Sequence, residues 1–452
     1  MSDPIGLLQQ PVTFPFSGRT AKNRFLKSAM SERLATFSTF YPPGRGRPTE
    51  ELVRLYETWA KGDIGSSHPI LLKHSNRIFK GIIVTGNIQI KKDHLEATGN
   101  TIVDRDLPSN YPEDWAEVAR AAKSEGSLVI GQLNHPGRQV SINIQPYPEA
   151  PSDVEHPSTG GVLYGRPTPL TIAGINDIVQ RFAYAASVLY KAGFDGIQVK
   201  FRLQHRTSPS LNQLQLHAAH GYLLSQFLAK STNMRRDEYG GSLINRTRIL
   251  LEIVEAIKQA VQNPCFIISV KLNSQDFTQE GINVEESIMV AELLENAGVD
   301  FIEVSGGTYA QTIYNSRDKP YSVETREGYF IQFAELLRPH LKFSKIVVTG
   351  GFRTAHGMSD AVSQGATDMI GLARPLTAEP HLVRDILRGE KNKVKDDKFP
   401  DSPLLRFVAS AAQIAEIGNG QDITDFDNAF NVARFIAIMQ KEIPATISEA
   451  LF

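Results

Sequence analysis

The chain contains few cysteines, little excess charge and no long apolar run, and each shortage excludes a class of protein. Cys265 is the only cysteine, so the chain can form neither an internal disulfide nor a cysteine-rich metal site. With 48 basic and 49 acidic side chains, no overall field attracts nucleic acid or an anionic membrane. No stretch approaches the roughly eighteen apolar residues that a membrane span needs. These shortages favour a cytoplasmic protein with a small-molecule partner and leave homo-oligomerisation open.

The sequence also lacks a Gly-x-Gly-x-x-Gly motif after any predicted strand. That motif wraps the turn between a strand and a helix around the pyrophosphate of a dinucleotide. Its absence argues against a separate Rossmann domain for nicotinamide. The chain of 452 residues is 41% hydrophobic, which provides a large core for one barrel with an extension or for two or three smaller domains.

From residue 23 onward, short apolar runs alternate with longer segments of helical periodicity, a pattern typical of parallel strands joined by crossover helices. Eight candidate strands can be counted: Arg24 to Met30, a run ending in Ile82 to Thr85, Leu128 to Leu133, a region from Phe194 to His217, Phe266 to Leu272, Phe301 to Val304, Ile346 to Thr349, and Met369 to Leu372. The pattern predicts an α/β protein with a closed TIM (β/α)8 barrel. An open, doubly wound sheet is the alternative.

In a barrel of this kind, the chemistry lies at the C-terminal ends of the strands. Each predicted strand is followed at once by polar, charged or glycine residues: Ser31-Glu32, Gly86-Asn87, Asn134-His135, His217 to His220, Asn273, Ser305 to Gly307, Gly350-Gly351, and Ala373-Arg374. We expect these residues to meet at one mouth of the barrel. Residues 1–385 are predicted to form the barrel, and residues 386–452 a C-terminal helical extension that packs on it.

Two segments interrupt the alternation of apolar runs and helical segments. Residues 66–81 separate Gly62-Asp-Ile-Gly65 from Ile82 to Thr85, and residues 199–215 separate Gln198 from Leu216. Each divides what is otherwise one barrel strand, where an insertion interrupts the hydrogen-bond ladder instead of lengthening a surface loop. We interpret both as retained introns or errors in the gene structure. A genuine insertion of this lineage is the alternative.

The strongest chemical pattern is His217-Ala-Ala-His220-Gly-Tyr222, which is followed by Tyr239-Gly-Gly-Ser242. Two histidines at this spacing across a strand end can bring both imidazole N–H groups to one carbonyl oxygen. A phenol nearby can act as a general acid. On their own, the histidines could also be buried structural groups or metal ligands.

A second pattern follows the last two predicted strands. The glycines of Thr349-Gly350-Gly351 end the seventh strand, and Ala373-Arg374 ends the eighth. Barrels often bind a phosphate at this place, using backbone N–H groups of the loops, and Arg374 adds a cation that can form two parallel bonds. Together the two strand ends favour a bound phosphate, whereas either glycine pair alone also marks an ordinary turn.

These patterns resemble the old yellow enzyme family of NADH:flavin oxidoreductases, or ene-reductases, and the chain is similar to a fungal-type member with two intron-like inserts. The resemblance covers nearly the whole barrel. It implies non-covalently bound FMN, NADH or NADPH as hydride donor, and an α,β-unsaturated carbonyl or similar activated alkene as acceptor. In such an enzyme His217 and His220 bind the substrate and Tyr222 donates a proton.

The resemblance also implies which residues contact the flavin. Ala29, Met30 and Ser31 correspond to a flavin-contacting segment in which Ser31 hydrogen-bonds flavin O4, and Gly86 lets the ring lie against the backbone. Gln132 corresponds to the glutamine at the pyrimidine edge.

Lys271 departs from the family pattern, because many members have arginine there. Either cation can offset negative charge near flavin N1 and O2, and a salt bridge at the mouth of the barrel is the alternative. The resemblance further implies that the FMN phosphate is held by Gly350, Gly351, Ala373 and Arg374.

Two other functions remain open from the sequence. If the inserts disrupt the second and fourth strands, the chain is a catalytically silent barrel protein. A different FMN barrel dehydrogenase is disfavoured by the His217 to Tyr222 run. His135 and Arg138 are expected in a solvated loop, and no metal site is predicted. The physiological acceptor and the choice between NADH and NADPH are not encoded in a readable pattern.

Overall fold

A computed structural model describes residues 4–62, 81–107, 112–157, 162–200, 221–273, 283–305, 330–400 and 402–442. Its centre is a ring of parallel strands. They run over Phe25–Lys27 (β1), Ile82–Gln89 (β2), Leu128–Asn134 (β3), Gly196–Lys200 (β4), Ile267–Asn273 (β5), Phe301–Ser305 (β6), Lys345–Thr349 (β7) and Met369–Leu372 (β8).

The ring is closed because β1 pairs with β8 on one side and with β2 on the other. Neighbours elsewhere follow chain order, from β2 through β8. This closure confirms the predicted TIM barrel and excludes the open sheet. The C-terminal ends of all eight strands therefore surround one mouth.

The lumen changes from apolar to polar toward that mouth. An apolar cluster, which includes Phe14 from the hairpin at Val12–Thr13 and Thr20–Ala21, fills the other end. Alternate residues of a strand face the same side of the sheet. Two residues after the apolar cluster, nearer the mouth, the side chains that face the lumen are polar. Ile130 is followed in this way by Gln132, and Phe301 by Glu303.

The helices in the described part run over Pro4–Leu8 (α1), Glu50–Lys61 (α2), Pro112–Lys123 (α3), Ile172–Lys191 (α4), Leu223–Leu228 (α5), Leu243–Val261 (α6), Val284–Asn296 (α7), Ile331–Leu337 (α8), Ala355–Ser363 (α9), Pro375–Ala378 (α10), Leu382–Leu387 (α11), Pro403–Gly418 (α12) and Ala429–Glu442 (α13). Several begin at a capping side chain. Thr171 and Ser242 each accept a hydrogen bond from a backbone N–H of the first turn. None of these helices is long and apolar enough to cross a membrane.

The C-terminal segment contacts the barrel through α12. Arg54 on α2 donates from Nη1 to the carbonyl of Gly418 (2.6 Å), and Thr377 donates to Gln413 Oε1 (2.8 Å). The predicted boundary at residue 385 falls within α11, whose apolar residues belong to the main core. We propose that the extension begins after this helix.

The structure describes only the edges of the two predicted inserts. Gly62, expected in the split second strand, instead ends α2, and β2 extends for eight residues from Ile82. At the second insert, β4 continues through Val199 and Lys200 and stays paired with β5. The hydrogen-bond ladder is therefore not interrupted directly after Gln198, and the interpretation of residues 199–215 as an insert stays a hypothesis. The rest of the two predicted inserts, residues 66–80 and 201–215, lies outside the described residues.

Candidate active site

Hydrogen bonds connect polar side chains across the lumen near the mouth. Gln132 donates from Nε2 to Gln198 Oε1 (2.6 Å), and Gln198 donates from Nε2 to Glu303 Oε2 (2.9 Å). The other oxygen of Glu303 accepts from Lys271 Nζ (2.7 Å) and from the Thr349 hydroxyl (2.8 Å). All five side chains are buried, so this network fixes their orientations.

The charged members of this network are Lys271 and Glu303. Burial raises the pKa of the Glu303 carboxyl, but the charge of Lys271 and the hydrogen bonds it receives outweigh burial, and the net pKa lies below its usual value. The carboxylate is therefore ionised at neutral pH. The ammonium of Lys271 is matched by a full negative charge within the barrel, which is the salt bridge considered from the sequence.

Gln132 has one atom that the network leaves unsatisfied. Its Oε1 is buried and has no hydrogen-bond partner among the described residues. A buried carbonyl without a donor costs about 1–3 kcal/mol. The amide therefore offers an acceptor, next to its own N–H donors, to a ligand in the mouth.

The loops after β7 and β8 lie side by side because the two strands are paired. Gly350 and Gly351 have φ angles of 108° and 85°, a region that residues with a Cβ avoid. Backbone N–H groups in such a turn can form a concave anion site. Ala373 and Arg374 follow β8 directly and add a guanidinium to the same edge of the barrel.

Tyr222 lies at the neighbouring part of the mouth and is 2% exposed. It immediately precedes α5, whose start is tied to the loop after β3. The N–H of Leu223 donates to the carbonyl of His135 (3.0 Å), and Gln226 donates from Nε2 to that of Pro136 (3.2 Å). The ammonium of Lys200, at the end of β4, is 4.7 Å from the centre of the Tyr222 ring.

Comparison with known proteins decides the family. Residues 208–393 match the NADH:flavin oxidoreductase / NADH oxidase family. An NADH-dependent flavin oxidoreductase of Aspergillus parasiticus, nadA, is 39% identical over 423 residues, which cover 92% of this chain and 86% of that protein. The chain belongs to the NADH:flavin oxidoreductase / NADH oxidase family.

Other relatives agree with this assignment. An NADH-dependent flavin oxidoreductase of Hypocrea jecorina, iliE, is 31% identical, and the match covers 84% of this chain and 88% of that protein. Among solved structures, an old yellow enzyme homologue from Zymomonas mobilis has a TM-score of 0.64 at 22% identity, covering 88% of this chain and 97% of that one. A 2-naphthoyl-CoA reductase has a TM-score of 0.70 at 20% identity; the match covers 95% of this chain and 58% of the reductase. These two likenesses show the barrel fold.

As a member of this family, the chain is a flavin oxidoreductase that uses FMN and NAD(P)H. The residues at the mouth fit the cofactor. The pyrimidine edge of FMN carries an N3–H donor between two carbonyl acceptors, which suits the unsatisfied Oε1 of Gln132 and its amide hydrogens. The glycine turn at Gly350-Gly351 and Arg374 suit a phosphate.

Ser31 differs from the role that the resemblance implied. Its hydroxyl donates to Glu96 Oε2 (2.7 Å) and accepts from Asn87 Nδ2 (3.1 Å). A hydroxyl has one hydrogen to donate, so Ser31 in this arrangement cannot also donate to flavin O4. That bond would require the side chain of Ser31 to leave Glu96.

Gly86 is needed for a reason that the sequence did not reveal. A Cβ there would lie 2.0 Å from Glu32 Oε2 and 2.2 Å from the carbonyl of Met30. The Gly86 N–H donates to Glu32 Oε1 (2.6 Å), and the Tyr56 hydroxyl bonds to the same carboxylate. Glycine is therefore required by the segment after β1, which also brings Met30 against Gly86. Ala29, the neighbour of Met30, is partly buried and packs against the apolar cluster of the lumen.

Sequence reasoning missed three charged side chains at the mouth. Glu303 stands in the apolar run Phe301-Ile-Glu-Val304, where an isolated carboxylate already indicated a buried partner. Glu96 lies beyond the second strand, outside any predicted strand end. Lys200 was assigned to an insert. His217 and His220, the predicted substrate ligands, lie outside the described residues.

The expectation of a solvated loop at His135 and Arg138 is wrong, since both are 2% exposed. The loop folds back so that Arg138 donates to the carbonyl of Glu155 (2.9 Å). His135, His94 and Glu149 bring their polar atoms within 4.8 Å of one another, close enough for a shared metal ion.

Hydrogen bonds, however, already involve two of the candidate metal ligands. The Glu149 N–H donates to His94 Nε2 (3.0 Å), and the ammonium of Lys91 pairs with the Glu149 carboxylate. These contacts favour a hydrogen-bonded network over a metal centre, because a cation would lie beside the Lys91 ammonium.

Burial of His135 predicts a pH dependence of stability. Burial lowers the pKa of its imidazole to about 4, while the Glu149 carboxylate, 3.3 Å from Nε2, opposes the shift. Between pH 6.5 and 4 the unfolded chain then binds a proton that the folded chain does not, so the free energy of unfolding falls as the pH falls. At about 1.4 kcal/mol per pH unit, the contribution reaches at most about 3 kcal/mol.

Urea unfolding of wild type and His135→Gln between pH 5 and 7 measures this contribution. We expect the loss of stability toward pH 5 to be smaller in the variant, by about 1 kcal/mol or more. Equal slopes in the two proteins would show that His135 is not held neutral by the fold.

Proposed function

We propose that this flavin oxidoreductase reduces activated alkenes, such as α,β-unsaturated carbonyl compounds. The observation that carries the proposal is the connection of Tyr222 to the proposed flavin edge. The Tyr222 ring contacts Lys200, which follows Gln198 on β4, and Gln198 is hydrogen-bonded to Gln132. A general acid and a group suited to the flavin thus share one mouth.

The reaction balances as NAD(P)H + H⁺ + C=C → NAD(P)⁺ + CH–CH. Bound FMN supplies hydride transfer from the nicotinamide to the β-carbon. The protein supplies the proton. The Tyr222 O–H bond breaks as its proton goes to the α-carbon, and water returns a proton to the tyrosinate. The buried walls of the mouth exclude water from the reacting carbon atoms.

The same mouth would hold the remaining predicted groups. We propose that Gln132 and Lys271 contact the pyrimidine half of FMN and that Gly350, Gly351, Ala373 and Arg374 hold its phosphate. Ala29, Met30, Ser31 and Gly86 form the wall between β1 and β2. Three relatives that are 39%, 31% and 32% identical are named NADH-dependent, so we propose NADH as the preferred donor.

The direct test is an anaerobic assay of the purified yellow holoprotein with NADH or NADPH and 2-cyclohexenone. We expect NADH oxidation that depends on the enone, with cyclohexanone formed mole for mole. Cyclohexanone itself serves as the control acceptor, because it lacks the double bond. Oxidation of NADH that proceeds only with oxygen and never with the enone would contradict the proposal.

A second prediction concerns the histidine pair. The double variant His217→Ala/His220→Ala is expected to keep its flavin and its reduction by NADH but to lose most binding of enone, by about 10–100-fold, since two hydrogen bonds to one oxygen are removed. His356→Ala, an exposed histidine on α9, is the matched control. Undiminished enone turnover in the double variant would remove both histidines from the substrate site.

A further inference from the structure

Asn134 ends β3 and carries a second unsatisfied amide oxygen at the mouth. It follows Gln132 by two residues, so both side chains face the same side of β3. The residue is 1% exposed, and its Oδ1 has no hydrogen-bond partner among the described residues. The carbonyl of the next residue, His135, accepts from the N–H of Leu223, the residue after Tyr222 (3.0 Å). Asn134 and the proposed proton donor therefore lie on adjacent parts of the mouth.

A chain of three buried amides begins at Asn134. Asn134 donates from Nδ2 to Gln89 Oε1 (3.1 Å), and Gln89 donates from Nε2 to Asn100 Oδ1 (3.1 Å). Asn100 in turn donates from Nδ2 to Glu96 Oε2 (3.3 Å). Each amide thus gives its N–H to the next residue, and the oxygen at the start of the chain, that of Asn134, is left over.

Two groups at the far end fix the direction of this chain. Asn100 Oδ1 also accepts from the backbone N–H of Ala97 (2.8 Å), a group that can only donate. Asn100 Nδ2 faces Glu96, and an ionised carboxylate can only accept. Exchanging the oxygen and nitrogen of Asn100 would break both contacts. The amides of Gln89 and Asn134 therefore keep their orientations as well.

Glu96 remains charged at neutral pH. Burial raises the pKa of its carboxyl, but the charge of Arg33 and the hydrogen bond from the Ser31 hydroxyl (2.7 Å) oppose burial, and the net pKa lies below its usual value. The carboxylate therefore stays an acceptor. As a result, Asn134 presents a carbonyl oxygen to the mouth and not an N–H group.

We propose that Asn134 is a specificity-determining residue that selects acceptors carrying an N–H or O–H donor beside the activated double bond. The inference rests on the proposed function and adds a feature of the substrate to it. A donor on the ligand satisfies the buried carbonyl, whereas a ligand that has only acceptors leaves it unpaired. Unsaturated lactams and amides are therefore favoured over lactones and esters of the same shape.

The test is equilibrium binding of two ring compounds of equal size to the FMN holoprotein, measured by calorimetry. The first, 5,6-dihydro-2-pyridone, is an unsaturated lactam with an N–H group. The second, 5,6-dihydro-2-pyrone, is the lactone with a ring oxygen in its place. Wild type is expected to bind the lactam about 5–100-fold more tightly, because only the lactam satisfies the buried oxygen.

Variants of Asn134 assign the preference to its amide. Asn134→Leu, which keeps the volume of the side chain, and Asn134→Ala should both lose most of the preference. The more basic carbonyl of the lactam is unchanged in these variants, so the difference from wild type measures the contact with Asn134. Asn143→Leu, which replaces an exposed asparagine of the loop after β3, is the control and should keep the preference.

Two results would overturn the inference. One is a wild type that binds the lactone as tightly as the lactam. The other is a lactam preference that is as large in an Asn134 variant as in wild type. If wild type prefers the lactam through Asn134 but reduces neither compound, the contact stands and the proposed reaction fails. If wild type reduces both compounds but binds them equally, only the inference about Asn134 fails.

Discussion

Tyr222→Phe is expected to lower the rate of alkene reduction by about 10²–10⁴-fold, the usual contribution of a general acid. The variant removes one oxygen from a side chain that is 2% exposed and that packs beside Lys200 and before α5. The ring and its packing remain, so flavin content and reduction by NADH should stay within about twofold of wild type. The measurement is an anaerobic rapid-mixing experiment that follows the NADH and enone half-reactions separately.

The control is Tyr190→Phe, which removes a hydroxyl that bonds Asn263 on the outside of the barrel. It should leave both half-reactions unchanged. If Tyr222→Phe slows the NADH half-reaction as much as the enone half-reaction, the residue supports the cofactor and is not the proton donor. If it slows neither, another group supplies the proton.

Glu303→Leu is expected to destabilise the protein by about 3–5 kcal/mol, because it leaves the ammonium of Lys271 buried without its partner. The carboxylate also accepts from Thr349 and Gln198, so those donors lose their acceptor as well. Urea unfolding of apo and FMN-bound protein at pH 7 gives the free energies. Both forms should lose stability, since the pair belongs to the fold itself.

The double variant Lys271→Met/Glu303→Leu separates the charge from the packing. Removing both charges should recover more than half of the loss, because no unpaired ion remains in the lumen. A single variant as stable as wild type would show that Lys271 finds another partner or water. A double variant no more stable than Glu303→Leu would assign the loss to packing.

The barrel could be predicted because its signal is local and repeated. Each of the eight strands coincides with an apolar run, and buried parallel strands are apolar on both faces. Two helix starts differ. The helical spacing of the sequence predicts helices from Asn176 and from Asn245, and the structure begins α4 at Ile172 and α6 at Leu243, four and two residues earlier. Thr171 and Ser242 cap first turns that apolar spacing does not mark.

The site was less predictable because its contacts join distant strands. Gln132 and Lys271 stand inside predicted strands, and only the resemblance to the family indicated that they are site residues. The partner of Lys271 is a carboxylate 32 residues away, and the reason for Gly86 is Glu32, 54 residues away. A local sequence pattern does not indicate contacts between residues so far apart in the chain. Whether two such side chains meet depends on the register of the paired strands. In a closed barrel the registers of all the strands are fixed together.

The difference between the expected and the observed fourth strand had the largest consequence for the site. A break was predicted after Gln198, on the assumption that residues of an insert do not pair. Val199 is apolar and β-branched, and it continues the ladder with β3 and β5. Lys200 follows Val199 in the same strand and pairs with Lys271, so it lies at the mouth end of β4.

The measurement that tests the account most directly is a crystal structure of the FMN holoprotein with 4-nitrophenolate bound. The account predicts the pyrimidine edge of the flavin within hydrogen-bonding distance of Gln132, its phosphate at Gly350-Gly351 and Arg374, and the phenolate between the flavin face and Tyr222. A flavin that leaves Gln132 without a partner, or a phenolate remote from Tyr222, would contradict the account.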